Sequence, residues 1–301
     1  MNQPQFKGTA VALVTPFLNG AVDYKSLEKI IDHVINGGVD YIVALGSTGE
    51  SVMLNSKETV EVISFIVEKV QKRVPIVAGH FGQNSTAHLL ERIKRTDFSG
   101  ISAIMSSSPS YVKPTQEGIY QHYMAVADVS PLPIIIYNVP GRTASNVKPA
   151  TIVRLANDHS KFIGVKDATG NILQSIDIIK DKPKGFLVLS GDDPTAMAHI
   201  LIGGDGIISV IANSIPKEFS NMINTVLAGN HDKAKQLNDK IHGLHHWMYI
   251  EGNPVGIKAA MEFQNLCARE VRLPLMPMTK NNFEMMSKEL EHFLLTAHKV
   301  S

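Results

Sequence analysis

The sequence predicts an α/β fold, a (β/α)8 TIM barrel followed by a C-terminal helical extension. Eight short β-rich runs recur along the first two-thirds of the 301 residues, and helix-length stretches with apolar residues at three- and four-residue spacing separate them. The runs are almost continuously apolar rather than alternating, which is typical of parallel strands that are buried on both faces. Eight such units favour a closed barrel.

The eight candidate strands span residues 10–15, 41–45, 76–78, 101–105, 134–137, 163–166, 187–190 and 206–210. A doubly wound open sheet is the alternative, and such a sheet ordinarily has a Gly-x-Gly-x-x-Gly turn after its first strand. Thr15-Pro16-Phe17 stands at that place instead. The barrel is therefore the preferred fold.

The helix-length stretches begin and end at recognisable signals. Asp23 can cap the first helix, which stops at Gly37-Gly38, and Asn55 with Glu58 three residues later resembles a capping box. After about residue 224 the β-rich runs cease, and helical segments near 231–249, 253–268 and 279–298 follow. The sequence thus predicts two units, a (β/α)8 barrel over residues 1–224 and a helical extension over residues 225–301.

Charge and cysteine content narrow the classes of function. Lys plus Arg total 29 and Asp plus Glu total 28, so a formal charge of +1 gives no reason to expect nucleic acid or an anionic membrane as a partner. We expect neither an export signal nor a membrane segment, because the start is not basic and no apolar run is long enough. The one cysteine, Cys267, cannot form an internal disulfide. These features predict a cytoplasmic protein that acts on small molecules.

Polar residues that follow the strands are the candidate site, because barrel enzymes assemble their sites at the C-terminal strand ends. Lys166 closes the run 162–165, and an amine at the rim of an apolar interior favours the neutral form that attacks a ketone. Tyr137 ends another strand and could relay protons. The alternatives are a surface lysine that merely ends a strand and a packed tyrosine.

Two further groups could bind carboxylates. Ser47 and Thr48 lie in a Gly-flanked turn before a helix, where backbone N–H groups and hydroxyls can hold a small anion. Arg142 follows Gly141 in the loop after Tyr137, and its guanidinium could grip a carboxylate through paired hydrogen bonds. A plain connector and an exposed loop arginine are the alternatives.

No metal site is predicted. His242, His245 and His246 have i, i+3, i+4 spacing, but no acidic or cysteine ligand accompanies them at a suitable spacing, so a helix surface or an interface is preferred. Asp192-Asp193 precedes Pro194, where helix capping is the simpler role. We therefore expect no cofactor.

Three motifs occur together in one order: Gly46-Ser47-Thr48-Gly49-Glu50-Ser51, Tyr137-Asn138-Val139-Pro140-Gly141-Arg142-Thr143 and Gly164-Val165-Lys166-Asp167-Ala168-Thr169-Gly170. The chain resembles the dihydrodipicolinate synthase and N-acetylneuraminate lyase superfamily from about Gly8 through Pro277. The Gly141-Arg142-Thr143 ending resembles the synthase branch, in which the arginine holds the carboxylate of L-aspartate 4-semialdehyde.

The resemblance implies a Schiff-base lyase that condenses pyruvate with this semialdehyde, in the pathway to diaminopimelate and lysine. It implies a covalent pyruvate imine and no separate cofactor. It also implies a homotetramer built as a dimer of dimers. The roles implied by position are the imine on Lys166, a proton relay through Tyr137, Ser47 and Tyr111 of a neighbouring subunit, carboxylate binding by Thr48 and Arg142, and backbone lining of the pocket by Gly191 and Ile208.

Several positions depart from the family pattern. Ser47 replaces a common threonine but keeps the hydroxyl, so we expect the relay to work. Ser110 stands where many members have a second tyrosine. The family's lysine feedback site often has a histidine at the place of Ser56 and a glutamate at the place of His88, whereas Asn84 matches. We expect weak or absent inhibition by lysine.

Two other functions stay open at this point. One is a pyruvate-dependent aldolase of the same superfamily that cleaves a sugar acid with the same lysine and tyrosine chemistry. The other, from a different class, is a non-catalytic barrel that binds a small carboxylate, because a fold alone does not establish chemistry.

Overall fold

Within residues 4–297, which the computed structural model describes, eight parallel strands close into a barrel, and the predicted fold is confirmed. A two-stranded antiparallel hairpin of β2 and β3 follows the first strand. The strands are β1 Gly8–Ala12, β2 Phe17–Leu18, β3 Ala21–Val22, β4 Tyr41–Ala44, β5 Ile76–Ala78, β6 Ala103–Ser107, β7 Ile134–Asn138, β8 Phe162–Asp167, β9 Leu187–Ser190 and β10 Gly206–Ser209.

Neighbouring barrel strands pair in sequence order, and β1 closes the ring by pairing with both β10 and β4. The register of β7 against β8 sets Tyr137 opposite Lys166.

Some of the predicted strand bounds are wrong by a few residues. The strand expected at 101–105 is Ala103–Ser107, because the ladder begins where the Ser102 N–H bonds to the Ile76 carbonyl. The strand expected at 10–15 is Gly8–Ala12.

Helices follow the strands and cover the outside of the barrel. Asp23 accepts from the Ser26 N–H and caps α1, and Asn55 with Glu58 forms the predicted capping box of α2. The helices are α1 Tyr24–Asn36, α2 Ser56–Val70, α3 Thr86–Arg95, α4 Gln116–Val129, α5 Pro140–Thr143, α6 Pro149–Asp158, α7 Ile172–Asp181, α8 Ala196–Leu201, α9 Pro216–Leu227, α10 His231–Tyr249, α11 Val255–Phe263 and α12 Lys280–Ala297. Short 3-10 turns occur at Pro4–Phe6, Ser51–Met53, Asp193–Thr195 and Ile211–Asn213.

Two apolar layers hold the barrel together. Alternate strand residues such as Ala10, Val43 and Ile135 fill the interior, and their neighbours pack outward against the helices. Every residue of the eight barrel strands is buried except Ser107, which is partly exposed. The side chains at the rim are therefore fixed by a rigid scaffold.

The helical extension consists of α10, α11 and α12, near the three predicted segments. Helix α9 runs across residue 224, where the sequence suggested a boundary, so the division into two units remains a prediction. The α10 and α12 helices are joined by a hydrogen bond from Trp247 Nε1 to Glu289 Oε2.

Cys267 is buried within the extension, and burial raises the pKa of its thiol to about 12. Among residues 4–297, no helix is long and apolar enough to cross a membrane.

Candidate active site

A cavity of about 540 Å³ opens at the C-terminal strand ends. Its lining includes Ser47, Tyr137 and Arg142, which the sequence selected, and also Glu50 and Asn253, which it did not. The cavity lies at the rim where barrel enzymes place their reacting groups. Residues from the first strands, the middle strands and the extension thus meet in one place.

Lys166 and Tyr137 lie on paired strands and touch. The Lys166 Nζ atom is 4.6 Å from the centre of the Tyr137 ring, and the two residues are 5% and 8% exposed. Within residues 4–297 no carboxylate pairs with the Lys166 amine. The adjacent Asp167 is bonded elsewhere, to Asn138, Gln174 and Ser175. An amine that is buried next to a phenol and has no counter-ion suits covalent chemistry with a carbonyl.

Gly191 lies directly against the Lys166 side chain. A Cβ atom at Gly191 would be 2.8 Å from Lys166 Cε and 2.6 Å from the Ala168 Cβ. The glycine N–H donates to the Asp167 carbonyl at 2.8 Å, which fixes this close approach. Ile208 of β10 is buried in the barrel interior. Gly191 therefore packs against Lys166, and the expected role of both residues in lining the substrate pocket remains a prediction.

The Ser47-Thr48 turn offers unpaired backbone donors. The turn is closed by bonds from Gly49 N to Gly46 O and from Glu50 N to Ser47 O, both 3.1 Å. In the described part of the chain, neither the Ser47 N–H nor the Thr48 N–H donates to another residue. Thr48 is 3% exposed. Two free N–H groups next to two hydroxyls form a site that can hold a small carboxylate.

Asn253 of the extension connects two of the predicted binding residues. Its side-chain amide donates to the Thr48 hydroxyl at 3.0 Å, and its backbone carbonyl accepts from Arg142 Nη2 at 3.0 Å. The Asn253 Oδ1 atom is buried and has no partner among residues 4–297. The sequence analysis gave Asn253 no functional role and placed it only at the start of the predicted helical segment 253–268.

Tyr111 is not part of the cavity in this chain. It is 87% exposed, has a left-handed backbone with φ of 69°, and follows Ser110, whose hydroxyl donates to Asn84 Oδ1 at 2.7 Å. Its predicted position in a neighbouring subunit agrees with that exposure.

Of the predicted site residues, Ser47, Tyr137 and Arg142 line the cavity. Lys166, Thr48, Gly191 and Ile208 are not among its lining residues, although Lys166 lies against Tyr137 and Thr48 is bonded to Asn253.

The cavity lining also includes a group of polar residues in which Arg92 is the cationic member. The others are Ser56, Asn84, Ser110 and His80, and the pKa of His80 is lowered to about 4 by burial and by the nearby Arg92. His88 is not among the lining residues. Of the residues that line the cavity, Glu50 alone is acidic, and Lys258 already neutralises it.

The polar clusters outside the cavity have structural roles. Asp192 accepts from the Thr195 N–H, which confirms capping, and Asp193 accepts from the backbone of Val210 and Ile211. His245 is buried with its ring edge-on to Phe219. Over residues 4–297, no three His, Cys, Asp or Glu side chains are grouped as metal ligands.

Comparison with known proteins adds an independent result. The model of the dihydrodipicolinate synthetase family matches residues 5–293. The 4-hydroxy-tetrahydrodipicolinate synthase of Flavobacterium psychrophilum is 46% identical over 289 residues, which cover 95% of this chain and 98% of that protein. The crystal structure of dihydrodipicolinate synthase from Thermotoga maritima has a TM-score of 0.94 at 35% identity and covers 97% of this chain and 99% of its own. The chloride-inhibited enzyme of Acinetobacter baumannii, complexed with pyruvate, has a TM-score of 0.91 at 42% identity, with coverage of 95% and 98%.

Proposed function

Since the chain belongs to the dihydrodipicolinate synthetase family, we propose that it works by forming a Schiff base between Lys166 and pyruvate. Its activity is that of a 4-hydroxy-tetrahydrodipicolinate synthase, a lyase of amino-acid biosynthesis. The single observation that best supports the mechanism is the buried Lys166 amine, 4.6 Å from the centre of the Tyr137 ring and without a counter-ion in the described chain.

The reaction begins when the Lys166 amine attacks the ketone carbon of pyruvate. A carbinolamine forms and loses water to give the imine, and both steps move protons that Tyr137 and the Ser47 hydroxyl relay. Loss of a methyl proton converts the imine to an enamine. The enamine carbon attacks the aldehyde of L-aspartate 4-semialdehyde, and the amine of that substrate then displaces Lys166 as the ring closes.

Binding residues orient the two substrates. The free N–H groups of Ser47 and Thr48 support binding of the pyruvate carboxylate next to Lys166. Arg142 supports binding of the semialdehyde carboxylate at the cavity rim. Gly191 and Ile208 shape the base of the pocket, where Gly191 leaves room for the lysine side chain.

The proposed site also includes a residue of a second subunit. Tyr111 joins the proton relay from a neighbouring subunit, which its exposure in the single chain supports. The enzyme is then at least a dimer, and we propose a homotetramer built as a dimer of dimers, working in the cytoplasm. No separate cofactor takes part, because the imine of Lys166 supplies the electron sink.

The test is intact-mass measurement after borohydride reduction in the presence of pyruvate. Wild type is expected to gain one reduced pyruvate, Lys166→Ala is expected to gain none, and Lys280→Ala, at an exposed position, serves as the matched control. Tyr137→Phe should form the same adduct more slowly, by about 10²-fold or more. A folded wild type without adduct would overturn the mechanism and favour a barrel that only binds carboxylates.

A further inference from the structure

A buried ion pair joins the Ser47-Thr48 turn to the extension. The Lys258 Nζ atom lies 2.5 Å from Glu50 Oε1, although the residues are 208 positions apart in the chain. Glu50 is 2% exposed and Lys258 is 0% exposed. Burying two charges is unfavourable unless both are fully partnered, so a pair of this kind calls for an explanation beyond stability.

The pair is fully partnered by the extension. Lys258 Nζ also donates to the Glu270 carbonyl at 2.9 Å and lies 4.2 Å from the centre of the Phe17 ring. The other Glu50 oxygen, Oε2, accepts from the Arg272 N–H at 3.1 Å. Since both Glu50 oxygens are occupied, the carboxylate is not left free for a substrate.

The Glu50 backbone is the end of the substrate-binding turn. Its φ of 51° is left-handed, which is unfavourable for a residue with a side chain, and its N–H closes the turn onto the Ser47 carbonyl. At the other end, Asn253 donates to Thr48. The extension thus holds the turn at both ends, with Asn253 on Thr48 and Lys258 on Glu50.

We propose that Glu50 and Lys258 are positioning residues, which hold the Ser47 and Thr48 N–H groups in the geometry that binds the pyruvate carboxylate. This inference rests on the proposed function, in which that turn binds pyruvate. The pair acts on substrate only through the turn, so its loss should change pyruvate affinity more than the later chemistry. A misplacement of a binding group by about 1 Å is enough to reduce productive binding.

The test uses the full chain with both charges removed, Glu50→Gln with Lys258→Met. Removing both avoids the unpaired buried charge that a single neutral replacement leaves, which can prevent folding. We expect a folded protein with KM for pyruvate raised about tenfold or more and with half-maximal borohydride adduct at a correspondingly higher pyruvate concentration. KM for the semialdehyde and kcat at saturating pyruvate should change less than about twofold.

Two further variants complete the design. Glu50→Asp keeps both charges, so the protein should fold, but its shorter side chain reaches less far toward Lys258. It should raise KM for pyruvate less than the double variant does. Lys235→Met with Asp239→Asn removes an exposed ion pair of α10 and controls for charge loss. Folded Glu50 variants that lower the melting temperature and leave KM for pyruvate unchanged would overturn the proposal. If wild type forms no adduct, the proposed function fails instead, before any Glu50 variant is compared.

Discussion

Arg142 donates a hydrogen bond from Nη2 to the backbone carbonyl of Asn253, 3.0 Å away. Asn253 also donates to the Thr48 hydroxyl, so one residue of the extension links the groups proposed to bind the two substrates. The guanidinium is thereby held at the cavity rim before a carboxylate arrives. A preorganised arginine loses less entropy when it binds its substrate.

Arg142→Met is expected to lower kcat/KM for L-aspartate 4-semialdehyde by roughly tenfold to a hundredfold, because a hydrogen bond to a charged group is worth about 1.5–3 kcal/mol. Steady-state kinetics at saturating pyruvate measures this, and the pyruvate adduct should form as in wild type. Arg95→Met, at an exposed position, is the control. An equal loss with a sugar-acid substrate would point to the related aldolase activity.

Gly191→Ala is expected to slow imine formation, because the added methyl would lie 2.8 Å from Lys166 Cε and force the lysine to move. The rate of borohydride-trapped adduct formation should fall about tenfold or more. Gly118→Ala adds the same methyl on α4, where the nearest side-chain atom is 3.3 Å away. Equal adduct rates in the two variants would show that Gly191 does not constrain the lysine.

Tyr111 can be tested by mixing two inactive variants. The kcat of Tyr111→Phe should be about 10²-fold lower than that of wild type, because the hydroxyl that relays a proton is missing. Lys166→Ala should be inactive. After subunit exchange, an equal mixture should recover about a quarter of wild-type activity, since half of the dimers are hybrids with one complete site. No recovery, despite hybrids seen by native mass spectrometry, would place Tyr111 outside the neighbour's site.

Lysine is expected not to inhibit at submillimolar concentration. Ser56 and Ser110 line the cavity, whose one acidic lining residue, Glu50, is already paired with Lys258, so a lysine ammonium finds no free carboxylate among the described lining residues. Steady-state assays over a lysine series measure the effect. Ser56→His with His88→Glu, which introduces the family's usual residues, should increase sensitivity, whereas strong inhibition of wild type would contradict the prediction.

Stability should fall as the pH falls from about 6.5 to about 4. Burial lowers the pKa of His122 to about 4 from 6.5, so the unfolded chain takes up a proton in this range that the folded chain does not. This one residue should account for roughly 2 kcal/mol lost by pH 5. Denaturant unfolding at about pH 7.5 and pH 5 measures the loss, which should be smaller in His122→Gln. An unchanged loss would show that His122 does not titrate in this way.

Much of the fold was predictable because strand and helix signals are local. All eight strands were located, and the caps at Asp23 and Asn55 were read from neighbouring residues. Strand ends were less accurate, since they depend on ladder partners, as at Ser102 and Ile76. The barrel topology then placed residues such as Lys166 and Tyr137 at one rim, although their roles remain predictions.

The contacts from the extension could not be predicted from the residues alone. Asn253 meets Thr48 across 205 positions and Lys258 meets Glu50 across 208, and no periodicity or spacing relates partners so far apart. The sequence analysis did not single out Lys258, although it is the one charged residue in the apolar run from Val255 to Met261, which is buried throughout in α11. Only the folded chain shows that a buried lysine neutralises the last residue of the turn.

The separation of Glu50 and Lys258 also sets an order of events on the ribosome. At about 5–20 residues per second, roughly 10 to 40 seconds pass between synthesis of the glutamate and of its partner. Until then the nascent barrel contains a carboxylate without its counter-ion. The substrate-binding turn therefore reaches its final form only when the last part of the chain emerges from the exit tunnel, and ribosome-bound chains that stop before residue 258 should bind pyruvate more weakly than the complete chain.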